Sequence, residues 1–191
     1  ETFARLEDYV ALLLAENARQ NLIGRSTLDD LWRRHIADGA QLVRFAPRPD
    51  SSWLDIGSGA GLPGMVIAIL TQGPVILAEP RRLRAEFLER AAGELGLADR
   101  VRVAAVKAER MTGRFEVITA RAVARLDTLL RISQHLSTDK SVWALPKGKS
   151  AQSELDEARR SWQGEFRLEP SLTSGEAAIL VACRVRRKGR G

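Results

Sequence analysis

An acid followed by three glycines at alternate positions is the stretch whose residue types and spacing read most directly as chemistry: Asp55-Ile56-Gly57-Ser58-Gly59-Ala60-Gly61, continued by Leu62-Pro63-Gly64. Glycines strip side-chain bulk from a turn, and the free amides at the start of a following helix point at whatever ligand lies there. Gly57-x-Gly59-x-Gly61 with Asp55 two residues ahead matches a turn that receives S-adenosylmethionine. Read from Gly59, the same run as Gly59-x-Gly61-x-x-Gly64 satisfies the dinucleotide fingerprint. A tight turn that only packs a helix on a sheet would use the same glycines, so the spacing leaves three readings open. Glu79 ends the apolar run Val75-Ile76-Leu77-Ala78, where a carboxylate can bind both ribose hydroxyls. It favours an adenosine ligand without choosing between the cofactors, whereas Asp55, inside a strand end, favours the methyl donor.

Positioning these residues requires a strand before the turn and a helix after it. Trp53, Leu54 and Ile56 read as the strand, and Met65 to Leu70 as the helix. Further strands are expected at 75–79, 101–105, 115–120 and 141–145, the first occupying 52–56. Helices fall between them, with stripes at Leu83, Phe87, Leu88, Ala91 and Leu95 and at Leu126, Leu129, Leu130 and Leu136. Such alternation predicts a parallel sheet covered on both faces by right-handed crossovers. Glu165 to Leu168 and Ala177 to Val185 are strand-like with no helix between them, which predicts a closing hairpin and an antiparallel strand.

Residues 1–48 read as an N-terminal helical extension of one domain whose α/β core is 49–191. Phe3, Leu6, Val10, Leu13 and Leu14 make a helical stripe; Asn17 and Asn21 either cap its end or face a site. Ser26 or Thr27 is expected to cap a second helix carrying Leu28, Leu31, Trp32, His35, Leu42 and Val43. His35 lies on its inward side with Asp38 one turn away, which fits a structural His–Asp contact or a substrate-facing pair equally well.

In an open α/β sheet, ligands sit beyond the carboxyl ends of the strands near the switch point. The residues there are Gly57 to Leu62, Glu79-Pro80, Lys107 to Glu109, Arg121-Ala122 and Pro146-Lys147-Gly148. They supply carboxylates for an adenosine and two cations, Arg121 and Lys147, for something anionic.

The 191 residues carry 30 Lys and Arg against 24 Asp and Glu, a formal charge of +6. The cations cluster at Arg33-Arg34, Arg81-Arg82 with Arg84, Arg121 with Arg125, Lys147 with Lys149, and a tail of Arg184, Arg186, Arg187, Lys188 and Arg190. Clusters flanking a cofactor turn suggest a polyanionic partner. No apolar run approaches the roughly 20 residues that span a bilayer, and nothing resembles a secretion signal. The single Cys183 has no partner for an internal disulfide, so a reducing cytoplasm is expected.

Asn17 to Ile23 (NARQNLI), Arg34-His35-Ile36-x-Asp38, the long LDIGSGAGLPG run, Glu79-Pro80, Ala120-Arg121-Ala122 and Lys147-Gly148 occur in the order found in one family. Over nearly its whole length the chain resembles the bacterial small-subunit ribosomal RNA guanine-N7 methyltransferases, the RsmG or GidB family. The resemblance implies a class I S-adenosylmethionine-dependent, Rossmann-like α/β fold: a mainly parallel seven-stranded sheet with a C-terminal antiparallel strand and an N-terminal helical extension. It implies methyl transfer from S-adenosyl-L-methionine to N7 of one guanine in small-subunit (16S) ribosomal RNA, either naked or in the assembled subunit. Gly57 and Leu62 then line the methionine side and Ala108 and Glu109 the adenine side, Asp55, Ser58, Gly59, Gly61 and Pro80 complete the cofactor site, and the strand-end placement of Glu79 puts it at the ribose. Arg121 bridges cofactor and substrate; Arg121 and Lys147 are the catalytic candidates, and Asn21, His35 and Asp38 complete the substrate side. Neither metal nor membrane is expected, and the protein is expected to be monomeric. Guanine N7 exposes a lone pair and loses no proton on methylation, which accounts for the absence of a base triad. Three other readings stand beside this one: a small-molecule methyltransferase, a nicotinamide oxidoreductase, and an RNA-binding assembly factor without turnover.

Overall fold

Four short apolar runs become parallel strands because both their faces are covered. In the computed structural model, which describes residues 1–189, these are β1 (Trp53–Ile56), β2 (Val75–Ala78), β3 (Val101–Ala104) and β4 (Val117–Ala120). β5 (Val142–Lys147), β6 (Trp162–Pro170) and β7 (Ala178–Arg187) complete a seven-stranded sheet of order β3-β2-β1-β4-β5-β7-β6. β7 runs antiparallel to both its neighbours, as the two C-terminal strand-like runs predict. β6 begins three residues before the expected 165, and Arg190 of the basic tail lies outside the described residues.

The chain reverses direction across the sheet between β1 and β4, which pair with Asp55 beside Thr119. β4 meets β5 only at Val117–Val142 and Ile118–Trp143. Beyond those pairs the two strands part, so Pro146 sits in β5 with no ladder partner to lose on that side. The cleft at the carboxyl ends opens there.

One face of the sheet is packed by α1 (Thr2–Gln20), the helical segment after it, α3 (Gly64–Leu70) and α4 (Arg82–Glu94). Tyr9, Leu13, Met65 and Phe87 are fully buried in that layer. The other face holds α5 (Leu126–Ser133) and α6 (Ala151–Ser161), with Leu130, Leu155, Trp143 and Trp162 at its centre. The sequence reading did not name α6. Its buried stripe is Ala151, Glu154, Leu155 and Ala158, and two alanines and a carboxylate give little hydrophobic periodicity to see.

The expected second helix is not a single α-helix. A 3₁₀ turn (Arg25–Asp30), a π-helical stretch (Trp32–Ala37), the short α2 (Asp38–Ala40) and a second 3₁₀ turn (Gln41–Phe45) follow one another. Neither Ser26 nor Thr27 caps it: Gly24 holds the N-cap position, and Thr27 lies within the first turn, its hydroxyl donating to the Gly24 carbonyl at 2.8 Å. His35, Asp38 and Gln41 of this segment bond to residues far along the chain.

Candidate active site

The turn after β1 is set by backbone conformation. Gly57, Gly59 and Gly61 have φ of 67°, 58° and 92°, in the left-handed region that side chains disfavour. Gly57 and Ser58 donate their amides to the Ala78 carbonyl, at 2.8 and 3.1 Å, which ties the turn to the end of β2. There the buried Glu79 accepts the Gly59 amide at 2.8 Å on one carboxylate oxygen and the Arg81 amide at 2.8 Å on the other. Each oxygen keeps a second lone pair, so the carboxylate can still take two ribose hydroxyls. Leu62 is buried under the turn, Ser58 is buried with its hydroxyl on the Asp55 carbonyl, and Pro80 is exposed beside Glu79. Ala108 is buried and Glu109 exposed in the 3₁₀ turn that follows β3.

Asp55 braces the turn from within. Its Oδ2 accepts the Gly64 amide at 3.1 Å, and a Cβ on Gly64 would lie 2.6 Å from that oxygen and 2.4 Å from Leu77 Cδ2. Gly64 is therefore glycine because α3 presses against β1 and β2. Burial lifts the Asp55 carboxyl to about 7, while the Gly64 amide and the Arg121 charge act against the rise. Asp55 Oδ1 and Thr119 Oγ1, at paired positions of β1 and β4, are buried without partners. From the outer side, the Tyr9 hydroxyl of α1 donates to the Ala60 carbonyl at 2.8 Å.

The second half of the site hangs from β4. Ala122 has φ of 57°, and this turns Val123 over the glycines: a Cβ on Gly57 would meet Val123 Cγ2 at 2.6 Å. Arg121 points the other way, into the helical segment. Its Nη1 donates to the Arg34 carbonyl at 3.3 Å and to His35 Nδ1 at 3.1 Å, with Asp38 Oδ2 3.7 Å away. Since a guanidinium only donates, Nδ1 accepts and the ring proton sits on Nε2, which donates to Thr27 Oγ1 at 2.9 Å. Burial, then the Arg121 charge, pushes His35 down to about 4, so the ring is neutral.

Both ring nitrogens of His35 are engaged within the protein, by Thr27 and Arg121 and not by Asp38, and the side chain stands behind Arg121. Asp38 joins the cluster, its Oδ1 accepting from Gln41 at 2.8 Å and Thr173 at 2.9 Å. Asn21 does not join it. It is the left-handed C-cap of α1, its amide donating to the Asn17 carbonyl, while Asn17 Oδ1 accepts the Ile23 amide at 2.8 Å.

Lys147 differs from expectation. It lies in β5 and not in the loop beyond, its side chain is 9% exposed, and its Nζ donates to Glu154 Oε2 at 2.7 Å and to the Ala124 carbonyl at 3.3 Å. Glu154 also accepts the Ser150 hydroxyl at 2.7 Å and the Leu126 amide at 3.0 Å. Burial works to raise its carboxyl, but the bonds from Lys147 and Ser150 outweigh this and hold it below the usual range. Glu154 is the residue that sequence reasoning missed. The available signal was an acid amid the buried positions of α6, seven residues after Lys147. The Lys147–Glu154 pair clamps the loop carrying Arg121 through Ala124 and Leu126.

Between these groups lies a cavity of about 480 Å³, lined by Asp38, Arg121, Val123, Lys147 and Glu154 among others. It opens where β4 and β5 part, with cationic and carboxylate walls and an apolar floor from Pro146 and Ile179.

The chain matches the family model GidB, described as rRNA small subunit methyltransferase G, over residues 2–178. The chain belongs to the GidB family. It is 49% identical over 193 residues to Ribosomal RNA small subunit methyltransferase G of Rhizorhabdus wittichii, with 100% of this chain and 89% of that protein covered. It is 47% identical over 197 residues to the protein of the same name from Zymomonas mobilis, covering 98% and 88% of the two chains. Among solved structures, a methyltransferase from Geobacter sulfurreducens aligns with TM-score 0.64 at 15% identity, covering 92% of this chain and 88% of that one. A putative S-adenosyl-L-methionine-dependent methyltransferase from Methanococcus maripaludis aligns at 0.63 and 11%, covering 85% and 93%. These likenesses establish the fold. Membership of the GidB family weights the glycine turn toward the methyl donor, since Gly64 alone, packed between strands, would serve either cofactor.

Proposed function

We propose that this chain is an S-adenosylmethionine-dependent methyltransferase acting on N7 of a guanine in small-subunit ribosomal RNA. Besides family membership, the observation that carries the reading is the placement of Arg121: a cation anchored by a backbone carbonyl, a neutral imidazole and a carboxylate, between the glycine turn and a cavity fit for a base. The residues present fit the methyl donor. Glu79 has free lone pairs for a ribose, and the unpartnered buried Asp55 Oδ1 suits a cationic amino group directly or through water. When bound, S-adenosylmethionine supplies an electrophilic methyl group on a sulfonium.

The chain's own residues supply alignment. N7 of guanine has an available lone pair, so no side chain need take a proton, and holding the base in line with the methyl group supplies most of the rate. Arginine usually grips guanine at O6 and N7 together. Here N7 must stay free, so Arg121 holds O6 or a nearby phosphate. The pairing of Lys147 with Glu154 makes it the brace of the Arg121 loop, with its charge at the cavity wall. The target guanine lies in an unpaired or opened segment, because a deep A-form major groove hides N7. A ribosomal RNA acceptor places the reaction in the cytoplasm.

The test is methyl-labelled S-adenosylmethionine incubated with unmethylated small-subunit ribosomal RNA, naked and as assembled subunits, followed by cleavage at 7-methylguanine. One strong cleavage site is expected in at least one of the two substrates. Tight cofactor binding without incorporation into either would overturn the assignment of the acceptor.

A further inference from the structure

A second cavity, of about 430 Å³, adjoins the first and shares Asp38, Gly148 and Ala177 with it. Its cations arrive from two directions: Arg33 and Arg34 from the π-helical stretch, and Lys149 from the loop after β5. Its opposite wall is the loop joining β6 to β7, and that wall is fixed. Arg33 donates to the Thr173 carbonyl at 3.2 Å, Thr173 Oγ1 donates to Asp38, and the Leu172 amide donates to Gln41 Oε1 at 2.9 Å.

We propose that this second cavity holds an RNA phosphodiester adjacent to the target guanine, an inference that rests on the ribosomal RNA reading above. Arg34 supplies the link. Its main-chain carbonyl receives the Arg121 guanidinium at the base site, while its exposed side chain lines the neighbouring cavity with no carboxylate in ion-pair reach among the described residues. One residue therefore fixes the spacing between the base site and the phosphate site. The two carboxylates present are unequal. Asp38 is held by Gln41 and Thr173 and faces Arg121, but Glu176 is 69% exposed and pairs only with Lys149, itself 76% exposed, at 2.7 Å. An exposed pair of this kind is worth little. A phosphate oxygen takes the place of Glu176 on Lys149, while Arg34 offers its paired donors to the same group. Such contacts set the register of the strand and leave base identity to the first cavity.

The experiment measures binding and methylation of unmethylated small-subunit ribosomal RNA by the full chain over a range of KCl concentrations, for wild type and the variants Arg34→Ala, Lys149→Ala, Glu176→Gln and, as a distant control, Arg131→Ala. Arg34→Ala and Lys149→Ala are expected to raise the KM for RNA about tenfold, as loss of a charge-assisted bond does. Each is also expected to flatten the slope of log affinity against log salt by about 0.7. Cofactor affinity stays at the wild-type value in both. Glu176→Gln is expected to shift RNA affinity in the opposite direction, tightening it, and Arg131→Ala to change nothing. Wild-type slopes and KM values in Arg34→Ala and Lys149→Ala, with methylation of the RNA intact, would sink the phosphate site alone. Failure of the wild-type chain to bind and methylate the RNA would take the acceptor assignment and the phosphate site down together.

Discussion

The glycine turn and the Arg121 cluster are the two halves of one cleft, built by opposite means. The turn is made of backbone: three left-handed glycines, amides donated to Ala78 and Glu79, and a helix seated on Gly64 within a stretch of ten residues. The cluster is made of the side chains of His35, Asp38, Arg121, Lys147, Glu154 and Thr173, brought together around the Arg34 carbonyl. On the proposed reading, local geometry positions the cofactor and long-range geometry positions its acceptor. The two halves should therefore fail differently when mutated.

The largest effect is expected at Arg121. Arg121→Ala removes a pre-positioned donor and should lower kcat/KM for RNA by roughly a hundredfold, while the thermal midpoint stays near wild type. A full-rate, normally folded variant would break the assignment of the cluster to the acceptor. Next comes the buried pair. Glu154→Ala leaves Lys147 uncompensated and should cost about 3 kcal/mol in denaturant unfolding. The double variant Lys147→Met with Glu154→Leu should recover much of that stability without recovering activity. Recovery of both would show that the clamp is dispensable for positioning.

Gly64→Ala probes the other half. Its Cβ meets Asp55 and Leu77 inside 3 Å, and the expected loss is about 2 kcal/mol of stability together with weakened cofactor affinity. An unchanged thermal midpoint would mean that α3 shifts freely on the sheet.

The smallest effect, and the finest contrast, is in the pH dependence of stability. His35 sits at about 4 against an ordinary 6.5, so the unfolded chain binds a proton that the native one refuses, and its contribution is lost as pH falls from 6.5 toward 4. Asp55 has the opposite sign. Its carboxyl sits at about 7 against 3.8, the native state keeps a proton that the unfolded chain has released, and its contribution is lost as pH rises through that interval. Between pH 4 and 6.5 the two oppose each other. His35→Gln should therefore tilt the stability profile downward with rising pH, and Asp55→Asn upward. Parallel profiles for the two variants would show that the halves do not carry these separate protonation states.

The same contrast explains what the sequence disclosed. β1, the glycine turn and α3 were legible because their signals follow one another in a single unbroken run, residues 53–70, and obey simple periods. The antiparallel end was legible because two apolar runs lack a helix between them. Arg121 and Lys147 were reachable only through the rule that strand ends converge, and that rule locates residues without naming their partners. Glu154 was invisible because it occupies a stripe position where periodicity expects a hydrophobe. The docking of Ser171 and Thr173 on Gln41 and Asp38 spans some 130 residues of chain and leaves no local mark. The mixed helix from Arg25 to Phe45 looked like ordinary helix because hydrophobic spacing does not distinguish hydrogen bonding to the third, fourth or fifth residue.

The hydroxyl of Tyr9 rests on the carbonyl of Ala60, across a sequence separation of 51. That bond joins the N-terminal helical extension to the turn after β1. The first helix is a floor beneath the glycine turn. Exchanging that helix for one from an unrelated protein would leave Ala60 without its donor and would loosen the very loop that the rest of the sheet is arranged to present.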